Sequence, residues 1–447
     1  MRPEALGQAR DWFAHARRAL GAGARVIARD STSKNEGPLL VGLFVLGVAV
    51  TFSRRPDAIL NAQFWGEDAL VWFTEAYVLG PLQALITPRD GYFQTLSRLT
   101  SAAATFGPLA MEPLVYNLVA LVVQVLPAVY IASSRFAVVL QPLWARLLLA
   151  LLYLAMPNTG EVHVNLTNAQ WRLGIAMAII CLTPPANSRL LRGFDVTLVV
   201  LGGLSSVFGF FLLPAIVAVW RWRRDRRPWR LILGAGLSMT AAVQLAAFAF
   251  AAQTRASATD PLGASITTFI EIVGTQVALG PLIGAAGLEL LYDGGITPWL
   301  SPIAAVLAMA LLAAACRHGP LELRLLLLFA ALTLAAGLIQ PQVPVQGAGR
   351  WETLLVPRNG TRYFLIPSFA LLTATVALAA SRPLRVRLAG LSVIAIVILV
   401  GVPMDWKYRF EDFHFADYAR TLEAAAPGTE VRIPINPAGW EMVLAKR

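Results

Sequence analysis

Long runs of apolar residues alternate along this chain with short polar loops. Runs of ~17–25 apolar residues are long enough to cross a hydrocarbon core of about 30 Å as helices. A much longer polar and aromatic stretch, 53–110, follows the first run. The pattern predicts an all-α membrane protein with many crossings. The predicted spans lie near 38–52, 112–133, 143–156, 170–184, 196–220, 229–252, 299–316, 324–339, 363–380 and 388–403.

Two further patterns decide the number of crossings. Basic residues flank both ends of 196–220, and basic loops stay in the cytoplasm, so this segment has to cross twice. We expect two short helices broken at the sequence GGLSSVFG, with the break buried or lining a cavity. Segment 269–296 is interrupted by glycines and carries Glu271, Glu289 and Asp293. It is predicted to be re-entrant or interfacial, which leaves about eleven crossings.

Composition and charge fix the expected orientation. The chain is 57% hydrophobic and only 14% charged, whereas soluble proteins carry roughly a quarter charged residues. The net charge of +11 comes from arginines in short loops, which is the topology signal of membrane proteins. It therefore gives no reason to expect nucleic acid as a partner. We expect a multi-pass protein of the bacterial inner membrane with a cytoplasmic N-terminus and an extracytoplasmic C-terminus.

This orientation divides the chain into three parts. Segment 1–36 has no apolar core with a cleavage site, so it is predicted to be a cytoplasmic amphipathic segment and not a signal peptide. Segment 37–403 is the transmembrane domain. Segment 404–447, with a helix-like part and then a strand-like part, is predicted to form a small extracytoplasmic cap. The predicted outer loops of the transmembrane domain are 53–110, 157–169 and 340–362.

Chemistry-bearing residues concentrate in these three outer loops. Arginine guanidinium groups bind phosphate oxygens through paired hydrogen bonds. Trp and Tyr rings stack on sugars and are enriched at the level of the lipid headgroups. A carboxylate beside a hydrophobic wall can have a raised pKa and act as a general base. Such a lining suits a substrate that combines a phosphate, a sugar and a lipid tail.

The order of three motifs carries a family resemblance. The stretches FWGEDALVWF…PRDGYFQTLSRL, EVHVNLTNAQWRL and RYFLIP occur on the same predicted face. With a first span followed by a long outer loop, they resemble the GT-C glycosyltransferase superfamily, in particular a group of bacterial members. The resemblance covers most of the chain in layout but only these motifs in residues. The chain has neither the large soluble C-terminal domain of well-known members nor a WWDYG motif, so protein N-glycan transfer is not expected.

The resemblance implies polyprenyl-phosphate sugars as donors and one or both acids of the first loop as catalytic acid or base. On a helix, neighbouring residues point about 100° apart, so one acid is expected to face the reaction and the other to support it. The expected catalytic residues are Glu67 and Asp68, the donor-phosphate contacts are Arg98, Arg172, Arg362 and Tyr363, and the sugar or acceptor contacts are Trp65, Arg89, Tyr92, His163, Asn168, Gln170 and Trp171.

Each candidate also has a purely structural interpretation. Acids favour the N-terminus of a helix, arginines reach for lipid headgroups, and tryptophans form interfacial belts. The structural alternatives are an interfacial helix start for Glu67 and Asp68, headgroup anchoring for Arg98 and Arg362, a solvated loop position for His163, and a belt position for Trp171.

The leading hypothesis is an inverting glycosyltransferase that acts on a cell-surface glycan or lipid acceptor. The surrounding membrane lipids are further expected partners. No cofactor is required, no metal site is predicted, and a divalent metal is compatible with the acidic pair. The alternatives are a lipid-carrier flippase, for which the broken segment would serve, and a surface-polysaccharide polymerase or ligase. The sequence contains no Walker A motif, no HExxH and no paired Cys/His spacing. Acids are scarce in the span centres, which argues against an ion-coupled pump.

Overall fold

The computed structural model describes residues 36–89, 91–223, 227–252, 261–343, 345 and 349–447. Helices make up 73% of the structure, so the predicted all-α class is confirmed. The predicted amphipathic segment 1–36 lies outside the described residues except for Glu36, the first residue of the first helix.

Twenty α-helices and two strands occur in the described ranges. The helices of the first half are α1 (Glu36–Arg54), α2 (Asp57–Leu60), α3 (Thr74–Leu79), α4 (Pro81–Leu85), α5 (Thr95–Ala104), α6 (Glu112–Ala132), α7 (Leu143–Leu154), α8 (Ala169–Leu182), α9 (Arg189–Ser205) and α10 (Phe208–Trp222). The second half contains α11 (Arg227–Ala252), α12 (Ile266–Ile272), α13 (Gly280–Asp293), α14 (Thr297–His318), α15 (Leu321–Ile339), α16 (Arg350–Thr353), α17 (Leu365–Ala379), α18 (Leu384–Ile396), α19 (Val402–Met404), α20 (Phe415–Ala424), β1 (Glu430–Ile435) and β2 (Trp440–Ala445).

Short 3-10 and π-helical turns connect several of these helices. The 3-10 turns are Leu109–Met111, Ser134–Val138, Gly160–Val162 and Thr361–Phe364, and the π-helical turns are Asp68–Phe73, Val273–Leu279 and Val397–Gly401.

Eight helical segments of the described chain are long and apolar enough to cross a membrane. Three shorter apolar helices, α7, α8 and α10, accompany them. The count of about eleven crossings and their direction stay predictions. The eight segments are Glu36–Arg54, Leu109–Ala132, Pro228–Phe250, Ile266–Asp293, Thr297–His318, Leu321–Ile339, Thr361–Ala379 and Leu384–Met404.

The predicted break in segment 196–220 is present. Helix α9 ends at Ser205 and α10 begins at Phe208. A broken helix leaves carbonyl groups without partners, which is costly away from water. The amide of Gln244, on α11, donates to the carbonyl oxygens of Gly203 (3.0 Å) and Ser206 (3.5 Å). The break is therefore stabilised by a side chain of the neighbouring helix.

Segment 266–293 has two features that bear on its predicted interfacial placement. Its length and hydropathy make it a candidate span. However, Gly284 breaks the helix with φ 70° and ψ 177°. The amide of Gln276 donates to Leu354 O at 2.9 Å and accepts from Asn158 at 3.1 Å, so the middle of the segment contacts two of the predicted outer loops. These contacts fit an interfacial segment, which stays a prediction.

Helices α8 and α17 form the centre of the bundle. All of α17 is buried except Ala377, and all of α8 is buried except Gln170. Both helices lack the polar face of a surface helix. Because α8 begins directly after loop 157–169, its first turn places polar side chains at the loop end of the bundle.

The C-terminal segment contains the predicted helix and strands. Strands β1 and β2 pair antiparallel, with Ile435 opposite Trp440. One face of this hairpin is buried, as the alternation of a half-buried strand requires, and packs with α20. The buried side chains are Ile433, Ile435, Met442, Leu444, Phe415, Ala419 and Leu422.

Candidate functional site

A cavity of about 410 Å³ lies where residues of the three predicted outer loops meet α8, α10, α11 and α15. Its walls bring together candidates that are far apart in sequence. Nine of the predicted site residues line it: Trp65, Glu67, Arg89, Tyr92, Asn168, Gln170, Trp171, Arg362 and Tyr363. Four others, Asp68, Arg98, His163 and Arg172, do not. The cavity thus brings nine of the thirteen candidates together. The role of each residue stays a prediction.

One wall of the cavity is apolar. The first turn of α10 contributes Phe208, Phe210 and Phe211, and α11 contributes Leu245 and Phe248. Leu245 and Phe248 are 59% and 49% exposed, so the apolar wall continues onto the outside of the bundle. The cavity therefore joins a polar end at the loops to an apolar surface on the helices.

Glu67 faces the cavity. It follows Gly66, whose φ of +42° favours glycine, and it precedes the π-helical turn Asp68–Phe73. Among the described residues, its carboxylate has no hydrogen-bond or ion-pair partner. Its charge interacts with that of Arg362 across the cavity. A carboxylate in this position is available to a bound molecule.

Asp68, in contrast, is buried beneath loop 157–169. Its Oδ2 accepts from Leu166 N at 3.0 Å and its Oδ1 accepts from Thr167 N at 2.7 Å. Trp72 Nε1 donates to the Thr167 hydroxyl at 2.6 Å. Burial raises the pKa of Asp68 to about 7, although the two backbone N–H groups oppose the shift. Asp68 thus joins the first loop to the second and does not reach the cavity.

The C-terminal segment holds the residues just before Glu67. Asn436 N donates to Phe64 O at 3.3 Å, and Gly66 N donates to Asn436 O at 2.6 Å. The Trp65 ring stacks on Phe410 with centroids 5.0 Å apart. No motif in the sequence predicts this contact. The C-terminal segment was expected to form a cap on the outer face, with no particular contact to the first loop.

A partly buried ion pair joins the second and third loops. The Arg362 guanidinium contacts the Glu161 carboxylate and the carbonyl of Gln342. Arg362 N also donates to Glu161 Oε2 at 2.9 Å, and the carbonyl of Glu161 accepts from Asn168 at 2.9 Å. Glu161 therefore orients two residues of the cavity wall. It was not among the predicted site residues, although it opens the EVHVNLTNAQWRL motif.

A second carboxylate, Glu75, pairs with two arginines of the first loop. Arg89 Nη1 lies 3.3 Å from Glu75 Oε1, and Arg98 Nη1 lies 2.6 Å from Glu75 Oε2. Arg98 is fully buried and lies over the Trp72 ring at 4.8 Å. It is placed away from the cavity, so its predicted contact with a donor phosphate has no support from the geometry.

The two other candidates outside the cavity are buried in the bundle. His163 Nδ1 accepts from Gln124 at 3.0 Å, so its Nε2 donates to Thr51 O at 3.1 Å. Burial lowers the pKa of His163 well below its usual value, which makes it neutral. Arg172 is 2% exposed and lies over the Tyr153 ring at 5.1 Å. Neither side chain lines the cavity, because the second loop folds inward onto α6. Their expected substrate contacts stay predictions without support from this geometry.

Within the described ranges, no group of three or more His, Cys, Asp or Glu side chains is placed to hold a metal ion. Comparisons with protein-family models, curated proteins and solved structures found no match. The resemblance to the GT-C superfamily therefore stays a prediction from the motifs.

Proposed function

We propose that this chain is a membrane glycosyltransferase of the GT-C type. It moves a sugar from a polyprenyl-phosphate donor to a hydroxyl of a glycan or lipid acceptor on the extracytoplasmic face of the bacterial inner membrane. The observation that carries the proposal is the Glu67 carboxylate. It has no described hydrogen-bond or ion-pair partner and lies in a cavity that is also lined by Arg89, Arg362 and an apolar wall.

Glu67 serves as the general base. It removes the proton of the acceptor hydroxyl while that oxygen attacks the anomeric carbon, and the bond from this carbon to the phosphate oxygen breaks. The configuration inverts, and the polyprenyl phosphate leaves with the bonding electron pair. Positioned general bases contribute roughly 10²–10⁴-fold to such rates.

The guanidinium groups of Arg89 and Arg362 lie at the leaving phosphate, where negative charge grows in the transition state. Their carboxylate partners, Glu75 and Glu161, hold them in place. Asp68 has a supporting role, since it fixes the end of the second loop, just before α8. The apolar wall of α10 and α11 receives the first isoprenoid units, because it is open to the side of the bundle.

The flippase hypothesis draws on the break between α9 and α10. The carbonyl groups of Gly203 and Ser206 at the break accept hydrogen bonds from Gln244, so these two groups are already engaged within the protein. This observation gives transport no added support.

The test uses the full chain in liposomes with short-chain polyprenyl-phosphate sugars and acceptor extracts. We expect Glu67→Gln to lower transfer by roughly 10²-fold or more and Asp68→Asn, whose side chain does not line the cavity, to lower it far less. The control is Glu430→Gln, an exposed acid of β1, which should transfer at the wild-type rate. Full transfer by Glu67→Gln would remove Glu67 as the base, and lipid movement without transfer would favour a flippase.

A further inference from the structure

A groove of about 560 Å³ lies between the N-terminal ends of α9 and α11 and shares no lining residue with the site cavity. Arg189 and Arg192 of α9 line one side of it, and Trp229 and Ile232 of α11 line the other. Helix α11 continues from here to Phe248, which lines the site cavity. At about 1.5 Å per helical residue, the groove and the cavity are about 28 Å apart along this helix.

The groove lies at one end of a candidate membrane span. The span Pro228–Phe250 begins at Pro228, which is itself a lining residue of the groove. A groove at the end of a span is at the level of the lipid headgroups, where tryptophan side chains are enriched. By the predicted orientation this is the cytoplasmic face, where the membrane surface has a negative potential.

The two arginines of the groove have N–H groups to offer. Within the described residues, the exposed side chain of Arg189 has no hydrogen-bond or ion-pair partner. Arg192 donates from Nε to Ala186 O and from Nη2 to Asn187 O, both at 2.8 Å. These two bonds hold its guanidinium in place. The other three of its five N–H groups have no partner in the described part of the chain.

The net charge beside the groove is positive. None of the eight described residues that line it is acidic. Asp195, one helical turn beyond Arg192, is buried, and its Oδ2 lies 2.7 Å from Arg135 Nη2. The four residues before Pro228 are three arginines and one aspartate, so the local charge stays positive however these four side chains pair. The complement of this groove is therefore an anionic group.

An exposed apolar stripe leads from the groove along α11. Ile232, Met239 and Val243 are 52%, 58% and 38% exposed. Their spacing places them on one face of the helix, and they span about 17 Å at about 1.5 Å per residue. This length is roughly half of a hydrocarbon core of about 30 Å, which is the depth of one leaflet. A ligand that fits both the arginines and the stripe has an anionic head and an acyl chain.

We propose that the groove binds an anionic glycerophospholipid of the adjacent leaflet. Its phosphate accepts hydrogen bonds from Arg189 and Arg192, since arginine forms strong, charge-assisted hydrogen bonds with phosphate oxygens. An acyl chain lies along Ile232, Met239 and Val243. The lipid is bound in a role other than substrate, so this site is independent of the proposed transfer reaction.

The experiment uses the full chain in mild detergent and counts bound lipids by native mass spectrometry. Phosphatidylglycerol and phosphatidylcholine with identical acyl chains are added in equal amounts, and we expect the wild type to retain phosphatidylglycerol preferentially. One basic side chain beside an anionic lipid contributes roughly 5-fold to binding. Arg189→Gln should therefore lower the preference roughly 5-fold, and its combination with Arg192→Gln should lower it roughly 10- to 30-fold.

The matched control combines Arg385→Gln with Arg387→Gln. It removes the same charge from two exposed arginines of α18 that do not line the groove, and it should keep the wild-type preference. The inference is wrong if this control lowers the preference as much as the double groove variant does, since the preference would then reflect overall positive charge. It is also wrong if the wild type retains both lipids equally, or if the folded Arg189→Gln variant keeps the wild-type preference.

Soluble phosphate compounds distinguish a lipid from a free anion. Glycerol 3-phosphate and inorganic phosphate carry the charge of the headgroup without acyl chains. We expect neither compound to displace phosphatidylglycerol when all are present at equal concentration. Displacement by either compound would show that the groove is a site for a soluble anion and would overturn the lipid assignment.

Discussion

Asp68 offers a prediction with a definite sign. Its folded pKa of about 7 lies above the ordinary aspartate value of 3.8, because burial outweighs the two backbone N–H bonds to its carboxylate. Between these two pH values the folded state binds the proton more tightly than the unfolded state does. The contribution of Asp68 to the free energy of unfolding is therefore fully present below about pH 4 and is lost as the pH rises to about 7.

The size of the effect follows from the shift. A difference of about three pH units at about 1.36 kcal/mol per unit amounts to roughly 4 kcal/mol. Asp68→Asn removes the titration and keeps one oxygen for one of the two N–H groups. The variant and the wild type should therefore have similar stability near pH 4.5. Because part of the loss occurs below pH 4.5, the variant should gain roughly 3 kcal/mol relative to the wild type between pH 4.5 and pH 7.5.

The assay is unfolding of the full chain in mild detergent by SDS titration, monitored by tryptophan fluorescence at intervals from pH 4.5 to 8. Asp417→Asn, which changes an exposed acid of α20, serves as the control and should follow the wild-type curve. A loss of stability in Asp68→Asn that grows as the pH rises would refute the reasoning. It would mean that the two N–H bonds outweigh burial and stabilise the charged form.

Three further substitutions test other contacts. Glu161→Gln weakens the ion pair that orients Arg362 and should lower kcat/KM for transfer roughly 10-fold. Glu161→Asp keeps the charge and should retain more of the wild-type kcat/KM than Glu161→Gln does. Equal rates for the wild type and both variants would show that the pair has no role in transfer. Asn436→Ala removes the side-chain bonds to Glu411 and should speed hydrogen exchange of the stretch before Glu67, and unchanged exchange would contradict the contact. Gly203→Ala places a methyl group against α11 and should cost about 1–3 kcal/mol in unfolding; wild-type stability would mean that the helices move apart freely.

The sequence predicted features that depend on local pattern. Apolar runs and flanking arginines indicated the helices and the break beside Ser206, because hydrophobicity and charge act over neighbouring residues. The three loops were expected to share one face, and nine of their candidates line one cavity.

Features that depend on distant partners could not be predicted. Glu67 and Asp68 lie in the same aromatic stretch of sequence. Asp68 turns away from the cavity because its carboxylate accepts hydrogen bonds from two backbone amides of the second loop, 98 and 99 residues away. His163 is drawn inward by Gln124, 39 residues before it. The pairing of Glu161 with Arg362 spans 201 residues. No local signal specifies contacts of this length.

The docking of the C-terminal segment on the first loop has a consequence for biosynthesis. Gln63 bonds Asp412 across 349 residues of chain. At about 5–20 residues per second, the ribosome needs roughly 20–70 s after making Gln63 before its partner exists. The stretch that carries Glu67 therefore leaves the ribosome long before the chain that fixes it. The contacts between the C-terminal segment and the stretch before Glu67 therefore form as one of the last events of synthesis, and nascent or C-terminally clipped chains contain Glu67 without them.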